Sequence, residues 1–331
     1  MKPKVAFIGT GGTISSIGRN SLDIMDYVSN DVRLHADEIV ARYPELAEVA
    51  EVIPIRFRNV PSFDIFFPEW RELVLICDRA VAETPDLAGI VVGHGTASLE
   101  ETAWMLNLTL KVSVPVVVVG SQRPPTALSS DAGMNLLNAV RTAAAPDSRG
   151  RGVLVVLNDE IQAARDVTKT STYRMQTFRA PDFGALGHAD GDRVSYYRRT
   201  ERRTAPDTEF DIRPLEVLPR VDIAYAYTGS DGTAVRAFVA AGAAGIVSAG
   251  FAPGFPGTAD GAALEAAVAS GVTVVQSTRA GSGRTFRGER FRRNGMLIAD
   301  NLNPQKARLL LALALTRTRD PEEISRIFAT Y

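Results

Sequence analysis

The sequence predicts an α/β fold in which a larger N-terminal domain carries a doubly wound, mainly parallel sheet and a smaller C-terminal α/β domain follows. Three observations predict it. Apolar runs without polar alternation, VAFI (5–8), GIVV (89–92), PVVVVG (115–120) and VLVVLN (153–158), read as strands covered on both faces. Longer amphipathic stretches around 37–48, 69–83, 98–107 and 131–144 separate them at helical period. Glycine-rich turns follow the first and second of these strands, and such sheets bind ligands at the carboxyl ends of their strands.

The remaining elements follow in order. Residues 190–214 (GDRVSYYRRTERRTAPDTEFDIRP from 191) are charged, hold two prolines and lack apolar periodicity, and read as strand edge plus linker. Strand–helix units then resume: VDIAYAY (221–227), a helix near 231–241, GIVSAG (245–250), a helix near 258–269 and VTVVQST (272–278). RFRRNGMLIA (290–299) places Asn-Gly between two strand-like arms and predicts a hairpin. NPQKARLLLALAL (303–315) predicts a helix capped by Asn303, with Pro304 at its first position. The expected division is a catalytic domain over 1–190, a linker over 191–214 and a second domain over 215–331.

Composition narrows the function. A chain of 331 residues accommodates two domains, and 45% hydrophobic with 23% charged residues is the balance of a soluble globular protein. A net charge of −1 gives no reason to expect a nucleic-acid or membrane partner. The single cysteine, Cys77, lies in the apolar run ELVLICDRAV and reads as a core thiol. The three histidines, His35, His94 and His188, lack metal-ligand spacing, so neither a metal nor another cofactor is expected. Met1 leads directly into a strand-like run without a signal-peptide pattern, and a cytoplasmic location is the expectation.

Three segments are candidates for chemistry. GTGGTISS (9–16) lacks the third glycine of a dinucleotide motif, where Ile14 stands, and lacks the Gly-Lys-Ser/Thr of a phosphate loop. Its glycines, Gly12 among them, read as letting backbone pass close to a small ligand, with Thr13 at the sheet edge. The competing reading of Thr13 is a turn threonine bonded to its own backbone. In GHGTASLEET (93–102), Ser98 and Glu101 form a capping-box pattern, which sets Thr96 just ahead of a helix N-terminus. That position favours an anion or a developing oxyanion, and the competing reading is that Thr96 only shapes the turn. His94 beside it reads as structural. In DVTKTSTYRMQTF (166–178), Lys169 lies among hydroxyls, where a lysine can serve as a base if it is not simply solvent-exposed.

Taken together, GTGGTI, GHGTASLEET, VGSQRPPTALSSDAGMNLLNAV, LNDEIQAARDVTKTSTY and LNPQKARLLLALALT resemble the bacterial L-asparaginase/glutaminase family, in the same order and over about residues 4 to 331. The resemblance implies hydrolysis of a side-chain carboxamide through a covalent acyl-enzyme, without metal or cofactor. It implies a homotetramer, a dimer of dimers, whose sites are completed by a neighbouring subunit. It assigns Thr13 as the nucleophile, Tyr27 as its activating tyrosine, Thr96 as the second threonine and Lys169 as its support. Ser62, in NVPSFD, would bind the substrate's α-carboxylate. Gly12, Phe63, Gly95, Ala97 and Ser121 complete the expected substrate-binding positions.

The chain also departs from the family pattern. Where the family reads His-Gly-Thr-Asp-Thr, this chain reads His94-Gly95-Thr96-Ala97-Ser98. That aspartate helps to hold the substrate's α-ammonium. The glutamine expected after the pocket serine is Phe63, and FAPGFP (251–256) stands where the family offers an asparagine. The neighbour-subunit glutamate has no clear match; Glu289 is available within the arginine-rich stretch 279–293, whose arginines read as a solvated hairpin. A desolvated ammonium needs anionic or carbonyl partners. The expectation is therefore an amidohydrolase that releases ammonia from a linear amide lacking a free α-amino group. Two alternatives stand beside it: an ordinary L-asparaginase, and a catalytically weakened small-molecule-binding or sensor homologue.

Overall fold

The apolar runs of the first half form neighbouring strands. β1 (Lys4–Gly9), β3 (Leu87–Gly93), β4 (Val116–Val119) and β5 (Val153–Leu157) run parallel, with β2 (Glu51–Arg56) parallel to β1 at the edge. Val5, Phe7, Val91, Val117, Val119, Leu154 and Val156 pack on one face against α1 (Ala36–Arg42), α2 (Leu46–Val49) and α5 (Ala132–Ala144). The other face carries α3 (Phe67–Glu83) and α4 (Leu99–Thr109). Both faces are covered, which is why these strands are continuously apolar. The computed structural model describes every residue, Met1–Tyr331.

Several elements differ from the sequence expectation, each for a physical reason. β2 contains Pro54, which pairs with Phe7; an edge strand tolerates proline because one side needs no ladder donor. The expected helix over 37–48 is two helices, because Pro44 holds Tyr43 near φ −122° and ψ 73°, outside helical space. After β5 the chain reverses at once. Asn158 and Asp159 have φ of 53° and 64°, and β6 (Glu160–Ala163) returns antiparallel. β9 (Gly187–Ala189) and β10 (Val194–Tyr196) extend that antiparallel margin, giving the order β10-β9-β6-β5-β4-β3-β1-β2. Between β6 and β9 in sequence, β7 (Thr168–Lys169) and β8 (Phe178–Arg179) form a separate two-stranded ribbon.

The chain divides into units Met1–Pro214 and Leu215–Tyr331. The segment 191–214, expected as a linker, packs onto the first unit instead. Phe210 and Ile212 are buried, Ala205 N donates to Asn107 O at 3.1 Å, and Arg213 pairs with Asp78 at 2.6 Å.

In the second unit, β11 (Val221–Tyr225), β12 (Gly245–Gly250), β13 (Thr273–Thr278) and β14 (Leu297–Ile298) form a parallel sheet. α6 (Thr233–Ala240) and α7 (Thr258–Ala269) cover one face through Val235, Ile246, Leu264, Val274 and Met296. α9 (Pro304–Ala314) packs against β11 to β13, and α10 (Pro321–Thr330) packs on α9 and β14. Asn303 caps α9 as expected, its side chain accepting from Lys306 N at 3.0 Å. The Asn-Gly hairpin does not form. Residues Glu289–Arg293 are helix α8, and Asn294-Gly295 ends it: Gly295 N donates to Arg292 O at 3.2 Å and Met296 N to Phe291 O at 3.0 Å. Gly295, at φ 74°, serves as the left-handed residue closing a helix rather than as a hairpin turn. Both motifs use the same dipeptide, and only the preceding helix distinguishes them.

Candidate active site

The parallel register sets Gly9 beside Gly93, so the turns leaving β1 and β3 emerge side by side at the carboxyl edge. Thr10 ties them together, its N–H and its Oγ1 both donating to Gly93 O at 2.9 Å. Gly12 adopts φ 86°, and a Cβ there would lie 2.1 Å from Gly95 Cα. A Cβ on Gly95 would lie 2.8 Å from Ser62 Oγ. The two turns therefore meet backbone to backbone, with the Ser62 side chain packed against Gly95, and glycine is required sterically at both positions.

Each turn presents a threonine. Thr13 opens a short 3₁₀ turn, Thr13–Ser15, and its Oγ1 lies 2.7 Å from Tyr27 OH. Thr96 Oγ1 accepts a hydrogen bond from Lys169 Nζ at 2.8 Å. Both threonines are largely buried, at 8% and 7% exposure. Lys169 sits at the end of β7, with Glu100 beside it; Lys169 N lies 3.4 Å from Glu100 Oε1. Burial pushes the Lys169 ammonium below its ordinary pKa, and the Glu100 carboxylate opposes that shift. Neither threonine hydroxyl bonds only to its own turn; each is in hydrogen-bond contact with a titratable side chain.

These groups face one cavity of about 230 Å³. Every expected site residue except Ser121 lines it: Thr13, Tyr27, Thr96 and Lys169 with Gly12, Ser62, Phe63, Gly95 and Ala97. Ser121 is fully buried away from it, its Oγ donating to Arg123 O at 2.8 Å. Phe63, 73% exposed, stands at the rim. Arg33 also lines the cavity, and sequence reasoning missed it. Its only connection to the motifs is three-dimensional, a bridge between Ser16 and Arg33. No aspartate or glutamate lines this cavity; its charged side chains are Arg33 and Lys169.

The neighbouring polar residues hold the frame. His94 Nδ1 lies 2.8 Å from Gly95 O, so it carries the proton. Its Nε2 then accepts from Thr102 Oγ1 at 2.9 Å, and Trp70 Nε1 donates to that hydroxyl at 2.9 Å. Complete burial lowers the His94 pKa to about 4, leaving the ring neutral in this chain of bonds. Its role is structural, as expected. Ser98 does precede α4, but its hydroxyl does not cap the helix; it donates to Ser62 O at 2.5 Å. That bond fastens the Ser62 turn to the Thr96 turn. Cys77 is a core thiol, with burial raising its pKa to about 12. In the second unit Glu289 is exposed and pairs with Arg293 four residues on, while Arg290 pairs with Glu265, so the arginines at the end of that stretch lie on a short solvated helix.

Comparison with known proteins gives a consistent result. The family model described as Asparaginase, N-terminal matches residues 4–202, and the Glutaminase/Asparaginase C-terminal domain model matches residues 220–328. The chain is 40% identical over 329 residues to L-asparaginase 2 of Bacillus subtilis, covering 99% of this chain and 87% of that relative. It is 38% identical to the glutaminase-asparaginase of Pseudomonas fluorescens, covering 99% and 90%. The crystal structure of a probable cytoplasmic L-asparaginase from Campylobacter jejuni matches with a TM-score of 0.94 at 35% identity, covering 100% of both chains.

Proposed function

This chain belongs to the asparaginase/glutaminase family of amidohydrolases acting on linear amides, and from that membership we propose a threonine acyl-enzyme mechanism for it. The observation that carries the proposal is the pair of buried threonine hydroxyls on one cavity, one bonded to Tyr27 and the other to Lys169. A threonine hydroxyl is a weak nucleophile and needs a base in hydrogen-bond reach. Thr13 Oγ1 attacks the carboxamide carbon while its proton passes to the Tyr27 oxygen, which hands its own phenolic proton on to the amide nitrogen. The tetrahedral intermediate then collapses, and the nitrogen, protonated through that relay, leaves as ammonia. Thr96 with Lys169 then activates a water that cleaves the Thr13 ester, returning the free hydroxyl and the carboxylic acid. Backbone N–H groups of the glycine turns stabilise the oxyanion, each good donor contributing about 3 kcal/mol.

The substrate lacks a free α-ammonium. Ala97 and Phe63 offer a methyl and a phenyl to the cavity, and no lining carboxylate is present to pair an ammonium. Ser62 receives the α-carboxylate. The names of the relatives favour a second reading, ordinary L-asparaginase activity. An ammonia-release screen over L-asparagine, L-glutamine, succinamate and N-acyl asparagines decides between them. The substrate proposal requires higher kcat/KM on the N-acyl compounds; a micromolar-range KM for L-asparagine overturns it. Thr13→Ala abolishing turnover while ligand binding persists supports the enzyme over a binding or sensor protein. The assembly proposed is a homotetramer in which a neighbouring subunit closes each site, checked by light scattering. A cytoplasmic location is likewise proposed, matching the name of the Campylobacter jejuni neighbour against the periplasmic name of a Haemophilus influenzae relative, and fractionation tests it.

A further inference from the structure

We propose that Arg33 forms an anion subsite in this cavity and selects amides that carry a second carboxylate, on an acyl substituent that masks the α-amino group. The inference rests on the substrate reading above and adds a recognition element to it.

The backbone of Arg33 is fixed to the catalytic turn. Ser16 and Arg33 form a β-bridge, with Ile17 N donating to Val32 O at 2.9 Å and Leu34 N to Ser15 O at 2.7 Å. Those bonds place Arg33 on the wall that also carries Thr13 and Ser16. Its side chain is only 22% exposed. A shielded guanidinium attracts an anion more strongly than one in open water.

Its present contacts are weak. Nη1 donates to Asn59 O at 3.3 Å, and Nη2 lies 3.4 Å from Asp31 Oδ1. Both distances are at the long limit for hydrogen bonds. The Asp31 carboxylate is 86% exposed, and an ion pair of that kind contributes little. A guanidinium has five N–H donors in a planar fork that suits a carboxylate. The other lining cation, Lys169, is committed to Thr96. The cavity thus presents one guanidinium with spare donors and no lining carboxylate, beside the apolar Phe63 and Ala97. An amide with one carboxylate leaves Arg33 without a ligand once Ser62 is engaged. A second carboxylate satisfies it.

The test uses calorimetry on the intact wild-type protein with two product-type ligands, N-succinyl-L-aspartate and N-acetyl-L-aspartate. They differ by a terminal carboxymethyl group, and the methylene part of that difference is unaffected by the Arg33 variants. The wild type binds the succinyl compound about tenfold tighter or more, the effect of one good charge-assisted contact. Arg33→Leu brings the ratio of the two dissociation constants close to one, and Arg33→Lys restores part of it. Equal affinities in the wild type, or a preference unchanged in Arg33→Leu, overturn the proposal. Circular dichroism confirms that each variant is folded, and Arg33→Gln replaces Arg33→Leu if the latter does not fold. Ammonia release from the corresponding asparagine amides is followed in parallel. Its absence on every amide overturns the hydrolytic reading, while the binding ratio still reports on Arg33.

Discussion

The two threonine pairs have the same chemistry but different foundations. Thr96 sits on a turn flanked by locked groups. His94 is bonded through both ring nitrogens, Ser98 is fastened to the Ser62 carbonyl, and Lys169 comes from a ribbon paired with β8. Thr13 is equally buried, but its partner Tyr27 lies on a short 3₁₀ turn, Tyr27–Asn30, within a surface excursion where Leu22, Met25 and Val28 are exposed. Few bonds tie that excursion to distant parts of the unit, Gly18 N to Thr126 Oγ1 and Leu128 N to Ser21 O among them, while most of its bonds run within the segment, as from Asn30 Nδ2 to Ile17 O. One pair is preorganised by the core, and the other depends on a segment with little buried apolar surface. Such segments open at low free-energy cost. Under the proposed mechanism the difference gives the two steps different sensitivities: attack by Thr13 would depend on loop position, whereas water activation by Thr96 would depend on a rigid frame.

The strongest test of the contrast removes each hydroxyl. Thr13→Ala and Thr96→Ala are each expected to lower kcat by about 10³-fold or more, because residues of one catalytic unit are not additive. Rapid-quench kinetics should separate them, with an ester intermediate accumulating only in Thr96→Ala. An intermediate in Thr13→Ala would remove that residue from the nucleophile's role. Lys169→Met follows, with a loss of about 10²–10⁴-fold, the range for a positioned base. Because burial lowers its pKa, neutral Lys169 becomes available at lower pH than for a free lysine. Wild-type activity should therefore rise with pH and level off above that pKa, and the variant should lose the rise. Tyr27→Phe is expected to cost about 10²-fold with an unchanged Tm, since the tyrosine supports no core packing. A large fall in Tm would show the excursion to be as integral to the core as the Thr96 frame.

The smallest effect concerns stability. His94 titrates near 4 when folded against 6.5 in the unfolded chain. Above 6.5 the ring contributes no pH dependence. As pH falls from 6.5 towards 4 the unfolded state binds the proton and the folded state does not, so stability decreases by about 3 kcal/mol over that window. His94→Asn should flatten this part of the Tm profile while lowering Tm at neutral pH. An unchanged slope in the variant would mean that other groups govern acid sensitivity.

Most of the frame was legible because continuous burial writes continuous apolar runs. VAFI, GIVV and VVVV could hardly fold otherwise. The misread elements were those whose local signals are shared by two structures. Asn294-Gly295 suits a hairpin or a helix end, and Ser98 looks like a cap until Ser62 is brought beside it. β2 was hidden by Pro54, which only an edge position tolerates. The catalytic candidates were legible because their motifs are short and contiguous. Ser121 belonged to such a motif, yet its strand-end position turns it inward to Arg123 O. Arg33 had no motif at all, because it reaches the cavity through a single long-range bridge.

The absent side chains at Gly12 and Gly95 have a consequence for how this enzyme can change. A Cβ at Gly12 would lie 2.1 Å from Gly95 Cα, with no room for it, so the two turns cannot be altered separately and the spacing of the threonine hydroxyls is insulated from drift elsewhere. The rim has no such restriction: Phe63 and Ala97 line the cavity from exposed positions, where a change of side chain meets no backbone clash of this kind. Substrate choice is therefore free to evolve on a reaction centre that stays fixed, and new amide specificities should be sought by saturation at the rim with the glycine junction left untouched.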